Sequence, residues 1–194
     1  VNNSKTFLEK ELNHKIIYGI NTGFGPMASY LIPKNDLVSL QENLIRSHAS
    51  GMGEPISESY VLASMVIRLN NFLKGFSGVS FELVDRLSLL INHRVIPVVP
   101  EHGAVGTSGD LVQLAHIAIA LMCEGEVIYH GRRRPASEVL KELGVAPYKL
   151  QTREGLAFIN GTAMMAGIAS LICAETVRLL DLVVRSGALA LELV

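Results

Sequence analysis

The chain has no tryptophan, only two cysteines and few charged side chains among its 194 residues. Charged residues make up 18% of the sequence, and the formal net charge is -1. The only basic cluster is Arg132-Arg133-Arg134, a predicted solvated hairpin tip, so the composition argues against nucleic acid as the main partner. Cys123 and Cys173 both lie in apolar helical patterns and are predicted to be buried free thiols of a reducing compartment.

The sequence also lacks the patterns typical of a metal site, a signal peptide and a membrane-spanning helix. The six histidines show no i,i+4 pair and no Cys or Glu partner at zinc spacing, so no metal is predicted. Residues 1–15 are polar and charged, so no signal peptide is expected and the predicted location is the cytoplasm. The uncharged stretch from Leu156 to Ala174 has no aromatic belt or basic flank and is predicted to be a fully buried bundle helix, with no membrane partner.

Apolar residues, by contrast, make up 49% of the sequence, enough for a substantial core, and most follow helical spacing. The predicted class is therefore mainly α, with a brief extended segment at residues 16–18 and a small β-hairpin over residues 127–133. The chain begins with Val1 and ends in helical sequence without a stop signal, so a piece of a longer protein is expected. The helices are predicted at residues 5–14, 36–50, 58–74, 80–93, 110–123, 137–143 and 161–194, with Ser80 as the N-cap of the fourth.

The stretch from Gly103 to Ala115 carries a glycine at every third position and then changes to helical periodicity, with a single apolar face predicted from Leu111 to Met122. Asp110 stands where this helix begins, so its carboxylate would meet the positive end of the helix dipole. Gly109 has no side chain to keep its nitrogen from the carbonyl of Thr107, and cyclisation with dehydration of Ser108 would give an electrophilic methylidene-imidazolone ring. The alternative is a glycine-rich turn that caps a helix.

The sequence GAVGTSGDLVQLAH (residues 103–116) resembles the signature of the aromatic amino acid ammonia-lyases. In that family the ring, called MIO, forms autocatalytically from Ala-Ser-Gly, and here Thr107 replaces the alanine. YGINTGFG (18–25), SHASG (47–51) and REGLAFINGT (153–162) also match the family. The resemblance implies that MIO forms from Thr107-Ser108-Gly109, without pyridoxal phosphate or metal, in the N-terminal part of the family's longer, fumarase/aspartase-like helical chain.

The resemblance also implies roles for residues. Tyr18 would remove the β-proton, Asn160 would bind near the ring or the substrate amine, and Asp110 would support the loop. Contacts to the substrate are expected from Gly25, His48 and Leu156. Residues 1–194 would form one MIO-containing domain, with residues 161–194 the start of a long bundle helix.

The implied activity is elimination of ammonia from an aromatic L-amino acid by a homotetramer. Histidine, giving urocanate, is the expected substrate. Tyrosine, giving p-coumarate, is the alternative, because Gln113 and Ala163 replace the proline and glutamine usual in histidine ammonia-lyases. An aminomutase with the same ring and a catalytically silent truncated fragment stay open as well.

Two other motifs in the chain suggest different functions, and the surrounding sequence favours neither. Residues 23–28 match G-x-G-x-x-A, and Glu42 lies near the distance of a ribose-binding acid, but no helix starts at this loop and no second strand follows. Residues 106–109 are not the hydrolase elbow, because Asp110 stands where its second glycine belongs.

Overall fold

The computed structural model describes residues 1–12, 14–105 and 109–193, and its architecture is mainly α, as predicted. Short 3-10 turns at Gly25–Met27 and Lys34–Asp36 precede the second helix. The α-helices are α1 (Asn2–Glu11), α2 (Leu37–His48), α3 (Glu58–Leu73), α4 (Phe81–Asn92), α5 (Leu111–Leu121), α6 (Ala136–Glu142), α7 (Glu154–Ile159) and α8 (Ala163–Glu192).

Two small antiparallel sheets lie beside the helices. One pairs β1 (Met52–Pro55) with β3 (Pro100–His102), and the other has the order β2 (Ile96–Pro97), β4 (Glu126–Tyr129), β5 (Arg132–Pro135). The β4–β5 pair confirms the predicted hairpin. The three arginines lie in β5, beside the turn and not at its tip, but Arg132 and Arg133 are exposed as predicted, with Arg133 paired to Glu126 and Arg134 to Glu142.

The helix α5 runs through the centre of the core. It packs against α2 and α7, and Leu114, Ala115, Ala118 and Leu121 are completely buried. The predicted single apolar face is too narrow, because Ile117 and Ala120 are buried as well, and a helix that is apolar all round belongs inside a protein. The buried body of α5 thereby fixes the half-buried start of the helix, with Asp110, at the edge of the core.

The helix α8 differs from its prediction. It packs mainly on α3, and only its first turns are covered, with Ala163, Met164 and Gly167 buried. The predicted burial of residues 156–174 therefore holds for α7 and the first turns of α8, and it is wrong beyond them. Cys173 is exposed and Cys123 half-buried, so the prediction of two buried thiols is wrong for Cys173.

Within the described residues, one stretch, Glu154–Glu192, is long and apolar enough to cross a membrane by length and composition alone. It includes both α7 and α8, which a bend at residues 160–162 separates. All six residues of α7 are buried in the core of this chain. The composition of this stretch is thus also that of a core segment.

Candidate active site

A cavity of about 360 Å³ brings together the residues predicted from the motifs at 18–25, 47–51 and 153–162. It lies between the loop after α1, the end of α2, the start of α5 and the end of α7. Every predicted catalytic or substrate-binding residue outside the Thr107-Ser108-Gly109 tripeptide lies in its wall. The lining residues are Tyr18, Phe24, Gly25, Leu44, His48, Leu111, Leu156, Ile159 and Asn160.

The loop over this cavity is held by its own side chains. Thr22 Oγ1 accepts a hydrogen bond from the Gly19 N–H at 3.0 Å and donates to the Gly23 carbonyl at 3.0 Å. Gly19 has a φ of 67°, and a Cβ there would lie 2.5 Å from Leu156 Cδ2, so the turn requires glycine. Residues 16–17 form no strand and Tyr18 already belongs to a turn, which Asn21 holds through hydrogen bonds with the Ile17 N–H and the Lys15 carbonyl.

Tyr18 stands at the mouth of the cavity with 53% of its surface exposed. Its hydroxyl oxygen accepts a hydrogen bond from the Gly25 N–H at 3.0 Å. Its ring meets Phe24 edge to face, with 6.4 Å between the centroids. A phenolate accepts the same hydrogen bond as a phenol, so this contact holds the oxygen in place in either protonation state.

His48 is the last residue of α2 and is half-buried. Its Nδ1 lies 2.9 Å from the Leu44 carbonyl oxygen. A carbonyl can only accept, so Nδ1 donates this hydrogen bond, and a neutral imidazole then keeps a lone pair on Nε2. The cavity therefore contains a hydrogen-bond acceptor suited to an N–H or O–H group on a ligand.

Asn160 follows the last residue of α7 and is exposed, in contrast to the six buried residues before it. Its backbone N–H still closes the helix through the Leu156 carbonyl at 3.0 Å, while its ψ of 103° ends the helix there. The end of a rigid, buried helix thus presents the amide to the cavity.

Three buried polar side chains, none of them predicted from the sequence, lie on or against α7: Gln41, Glu154 and Arg68. Gln41 Oε1 accepts from the Leu156 N–H at 3.1 Å, which caps α7 from α2. The sequence does contain a signal: Gln41 lies two turns before His48 on the same face of α2, and Arg68 falls in the buried series of α3 with Val61, Met65 and Phe72.

Glu154, the first residue of α7, has no exposed surface and is fully hydrogen-bonded. Oε1 accepts from the Ser80 N–H at 2.9 Å, and Oε2 accepts from the Tyr148 hydroxyl at 2.9 Å and the Gln151 N–H at 2.7 Å. Burial, together with the Glu154 carboxylate, raises the pKa of Tyr148, which keeps the phenol protonated as a donor. Ser80 also caps α4 through the Leu83 N–H, as predicted.

Arg68 lies at the other end of α7 and is 5% exposed. Its Nη1 donates to the Ala157 carbonyl at a long 3.4 Å. Burial lowers the pKa of the guanidinium to about 10, and the Asp110 carboxylate opposes that shift.

Part of the central loop, Gly106, Thr107 and Ser108, lies outside the described residues. Gly109 and Asp110 are described, and Asp110 immediately precedes α5, as predicted. Its carboxylate does not cap α5 but accepts from the Met165 N–H of α8 at 2.9 Å, and its own N–H donates to the Gly161 carbonyl at 2.8 Å. Asp110 therefore joins the starts of α5 and α8 next to Asn160.

The two residues that suggested tyrosine as the substrate, Gln113 and Ala163, lie away from this cavity. Gln113 lines a separate cavity of about 340 Å³ with Met164 and Ile168, and Ala163 is buried outside both. Within the described residues, strand pairing is antiparallel throughout, which removes the dinucleotide-fold alternative for residues 23–28. Over the same residues no group of three His, Cys, Asp or Glu is placed to hold a metal ion.

The chain is similar in sequence to proteins named as histidine ammonia-lyases and in structure to a tyrosine aminomutase. The chain is 44% identical over 188 residues to a protein of Thermoplasma volcanium named as a probable histidine ammonia-lyase, covering 97% of this chain and 38% of the relative. It is 51% identical over 165 residues to a histidine ammonia-lyase of Macrococcus caseolyticus, covering 84% of this chain and 33% of the relative. The structure of a tyrosine aminomutase from Streptomyces globisporus matches with a TM-score of 0.82 at 38% identity, over 88% of this chain and 32% of that one.

The chain thus spans about a third of the length of the curated relatives it matches. The family model for aromatic amino acid lyases matches it over residues 1–194, and with the whole chain matched, this protein belongs to the aromatic amino acid lyase family.

Proposed function

We propose that this chain is the N-terminal part of a histidine ammonia-lyase, which eliminates ammonia from L-histidine to give urocanate. The observation that carries the proposal is the single cavity lined by Tyr18, His48 and Asn160, with Asn160 one residue from the Gly161 carbonyl that binds Asp110. The names of the two histidine ammonia-lyase relatives described above supply the substrate.

Enzymes of this family use the MIO ring, and in this chain Thr107-Ser108-Gly109 would form it. The described residue of that tripeptide fits such a ring, because a Cβ at Gly109 would lie 3.1 Å from the Gly161 nitrogen and 2.9 Å from Leu111 Cδ1. When formed, the ring supplies an electrophile for the substrate amine. We propose no pyridoxal phosphate and no metal in this reaction.

The remaining roles fall to side chains of the cavity. Tyr18 would accept the β-proton at its phenolic oxygen, which the Gly25 N–H holds in place. Asn160 would bind the substrate amine, and the Leu156 and Gly25 surfaces would contact the substrate. The lone pair on His48 Nε2 would accept from the imidazole N–H of histidine.

Tyrosine is the second candidate, because an acceptor at His48 also suits a phenol O–H. The likeness to the tyrosine aminomutase structure supports this alternative and leaves an aminomutase reaction open. The cavity gives no support to the argument from Gln113 and Ala163, because neither residue lines it.

The assembly and location are also proposals. Because the chain spans about a third of its relatives, we propose one domain over residues 1–194, with residues 161–194 beginning a bundle helix that the rest of the protein continues. The complete enzyme would be a cytoplasmic homotetramer without nucleic acid or membrane partners. A silent fragment is the outcome expected if this portion is made alone.

The test is intact mass spectrometry of the full-length protein, followed by assays with histidine and tyrosine. Loss of two waters within the peptide that contains Thr107-Ser108-Gly109, with urocanate from histidine, is the expected result. Coumarate alone would replace histidine by tyrosine, and a β-amino acid product would indicate the aminomutase. An unmodified mass in an inactive full-length protein would refute the lyase proposal.

Replacing Tyr18 by Phe tests the assigned base. We expect a loss of roughly 10²- to 10⁴-fold in kcat, the range for removing a general base, with ring formation intact by mass. Tyr30→Phe is the matched control, because Tyr30 is an exposed tyrosine of the same loop outside the cavity. Equal activity of the two variants would remove Tyr18 from the mechanism.

A further inference from the structure

Arg68 is held in the core at an unusual cost. It is 5% exposed, and among the described residues its Nε and Nη2 have no hydrogen-bond partner. A buried guanidinium with unpaired N–H groups destabilises a folded protein, because neither water nor a protein acceptor replaces its lost hydration. The rest of the core offers little compensation beyond the 3.4 Å hydrogen bond to Ala157 and the face of Phe72 at 5.7 Å.

The guanidinium of Arg68 lies close to the residues that surround the start of α5 and the end of α7. It lies against Gly161, where a Cβ would stand 2.6 Å from Nη2, so only glycine permits this approach. The Ala157 carbonyl, at the negative end of α7, is its one described acceptor. The Asp110 backbone N–H donates to the Gly161 carbonyl, and the negative charge of Asp110 interacts favourably with the Arg68 guanidinium.

We propose that Arg68 is a positioning residue for the reaction, whose positive charge balances the Asp110 carboxylate beside Gly109 and fixes the turn that carries Asn160. This inference rests on the proposed function, because the balance matters only if an electrophile forms at Gly109. Gly109 and Asp110 are half-buried, and where water is partly excluded an unopposed carboxylate next to that group would lower its electrophilicity.

A role in folding and a role in the reaction predict different effects of removing Arg68. If Arg68 only supported the fold, its removal would destabilise the protein. If it is retained for its charge, a methionine of similar length would leave stability equal or raise it, because replacing a poorly paired buried charge by an apolar side chain is often neutral or stabilising. The same change would slow the reaction.

The experiment compares Arg68→Met and Arg68→Lys with wild type in the full-length protein. The control is Arg153→Met, because Arg153 is a partly buried arginine at the opposite end of α7, away from the cavity. Each variant is measured for Tm, for loss of two waters by mass, and for kcat and KM.

For Arg68→Met we expect a Tm no lower than that of wild type and a fall in kcat or in ring content of about tenfold or more, with KM changed far less. Arg68→Lys should recover part of that loss, because it restores the charge without the guanidinium shape. Arg153→Met should keep wild-type kcat.

Three results would overturn the inference. A methionine variant that is fully active leaves no role for the charge. One that unfolds, or loses Tm in step with kcat, shows a structural role. A lysine variant no better than methionine shows that charge is not the property retained. If wild type itself carries no ring and no activity, the proposed function fails instead, which the wild-type measurements reveal separately.

Discussion

The two ends of α7 are built in opposite ways. At its start, Glu154 has no exposed surface, and both carboxylate oxygens accept hydrogen bonds. At its end, Arg68 is almost as buried but leaves two nitrogens without a partner among the described residues. The saturated end attaches the helix to the core, and the unsaturated end lies beside Asn160. Proteins commonly tolerate such unsatisfied groups where function requires them.

The largest effect is expected from breaking the saturated end. Glu154→Ala removes the acceptor of the Ser80 N–H, the Tyr148 hydroxyl and the Gln151 N–H, and should lower the free energy of unfolding by about 3–5 kcal/mol. Denaturant unfolding measures this loss, and Glu175→Ala, an exposed acid of α8, is the control. A loss below about 1 kcal/mol would show that the network adds nothing to stability.

A smaller loss should follow from Tyr148→Phe. The ring and its packing remain, but Glu154 loses one donor and Ser80 Oγ loses a partner at 3.0 Å. We expect a decrease of about 1–2 kcal/mol in the free energy of unfolding, typical of one buried hydrogen bond. If the phenylalanine variant were as stable as wild type, the hydrogen bond between Tyr148 and Glu154 would add nothing to the free energy of unfolding.

Loss of the hydrogen bond in the middle of α7 should destabilise the protein less, because only one of the two polar atoms of Gln41 has a described partner. Gln41→Leu leaves the Leu156 N–H unpaired but also removes a buried Nε2 that lacks a described partner, so we expect a net loss of about 0.5–1 kcal/mol. Gln113→Leu is the matched change, since Gln113 Oε1 is buried and unpartnered over the described residues, and it should not destabilise. Equal losses in the two variants would contradict the role of the cap.

The smallest expected effect is a pH dependence at a partnered group. His116 Nε2 accepts from the Gly51 N–H at 3.0 Å, and burial lowers the pKa of His116 below its ordinary value of 6.5. The unfolded chain then takes up a proton at higher pH than the folded one. The stabilisation is complete above pH 6.5 and is lost as the pH falls through the lower pKa of the folded state.

Replacing His116 by Gln should flatten this acid loss, because an amide oxygen can accept the same hydrogen bond without titrating. The measurement is the free energy of unfolding of both proteins between neutral and mildly acidic pH. His93→Gln, a change at an exposed histidine, serves as control. An unchanged acid slope in His116→Gln would place the titrating group elsewhere.

The sequence predicted the helical class, most helices and the Ser80 cap, because these depend on local spacing and capping residues. It missed the polar supports of α7, because Gln41 and Arg68 act through neighbours 115 and 89 residues away in the chain. The exposure of Cys173 was missed for a related reason: periodicity identifies an apolar helix, but only tertiary contacts decide which turns are covered.

The candidate site was predictable only in part. The resemblance supplied Tyr18, His48 and Asn160, and the cavity that joins them requires the fold. The prediction that Asp110 begins α5 is confirmed, but its hydrogen bond to Met165 could not be foreseen, because the carboxylate serves a helix that starts 53 residues later. The roles assigned to these residues stay predictions.

Under the proposed function, the contact between Gly19 and Leu156 decides where the substrate range can be changed. A Cβ at Gly19 would stand 2.5 Å from Leu156, and the Leu156 N–H is held by Gln41, so a larger residue at 156 would have to displace the loop that carries Tyr18. His48 is held to its own helix through Nδ1 and leaves the rest of its ring to the cavity. Variant libraries aimed at new amino acids should therefore keep position 156 fixed and diversify position 48.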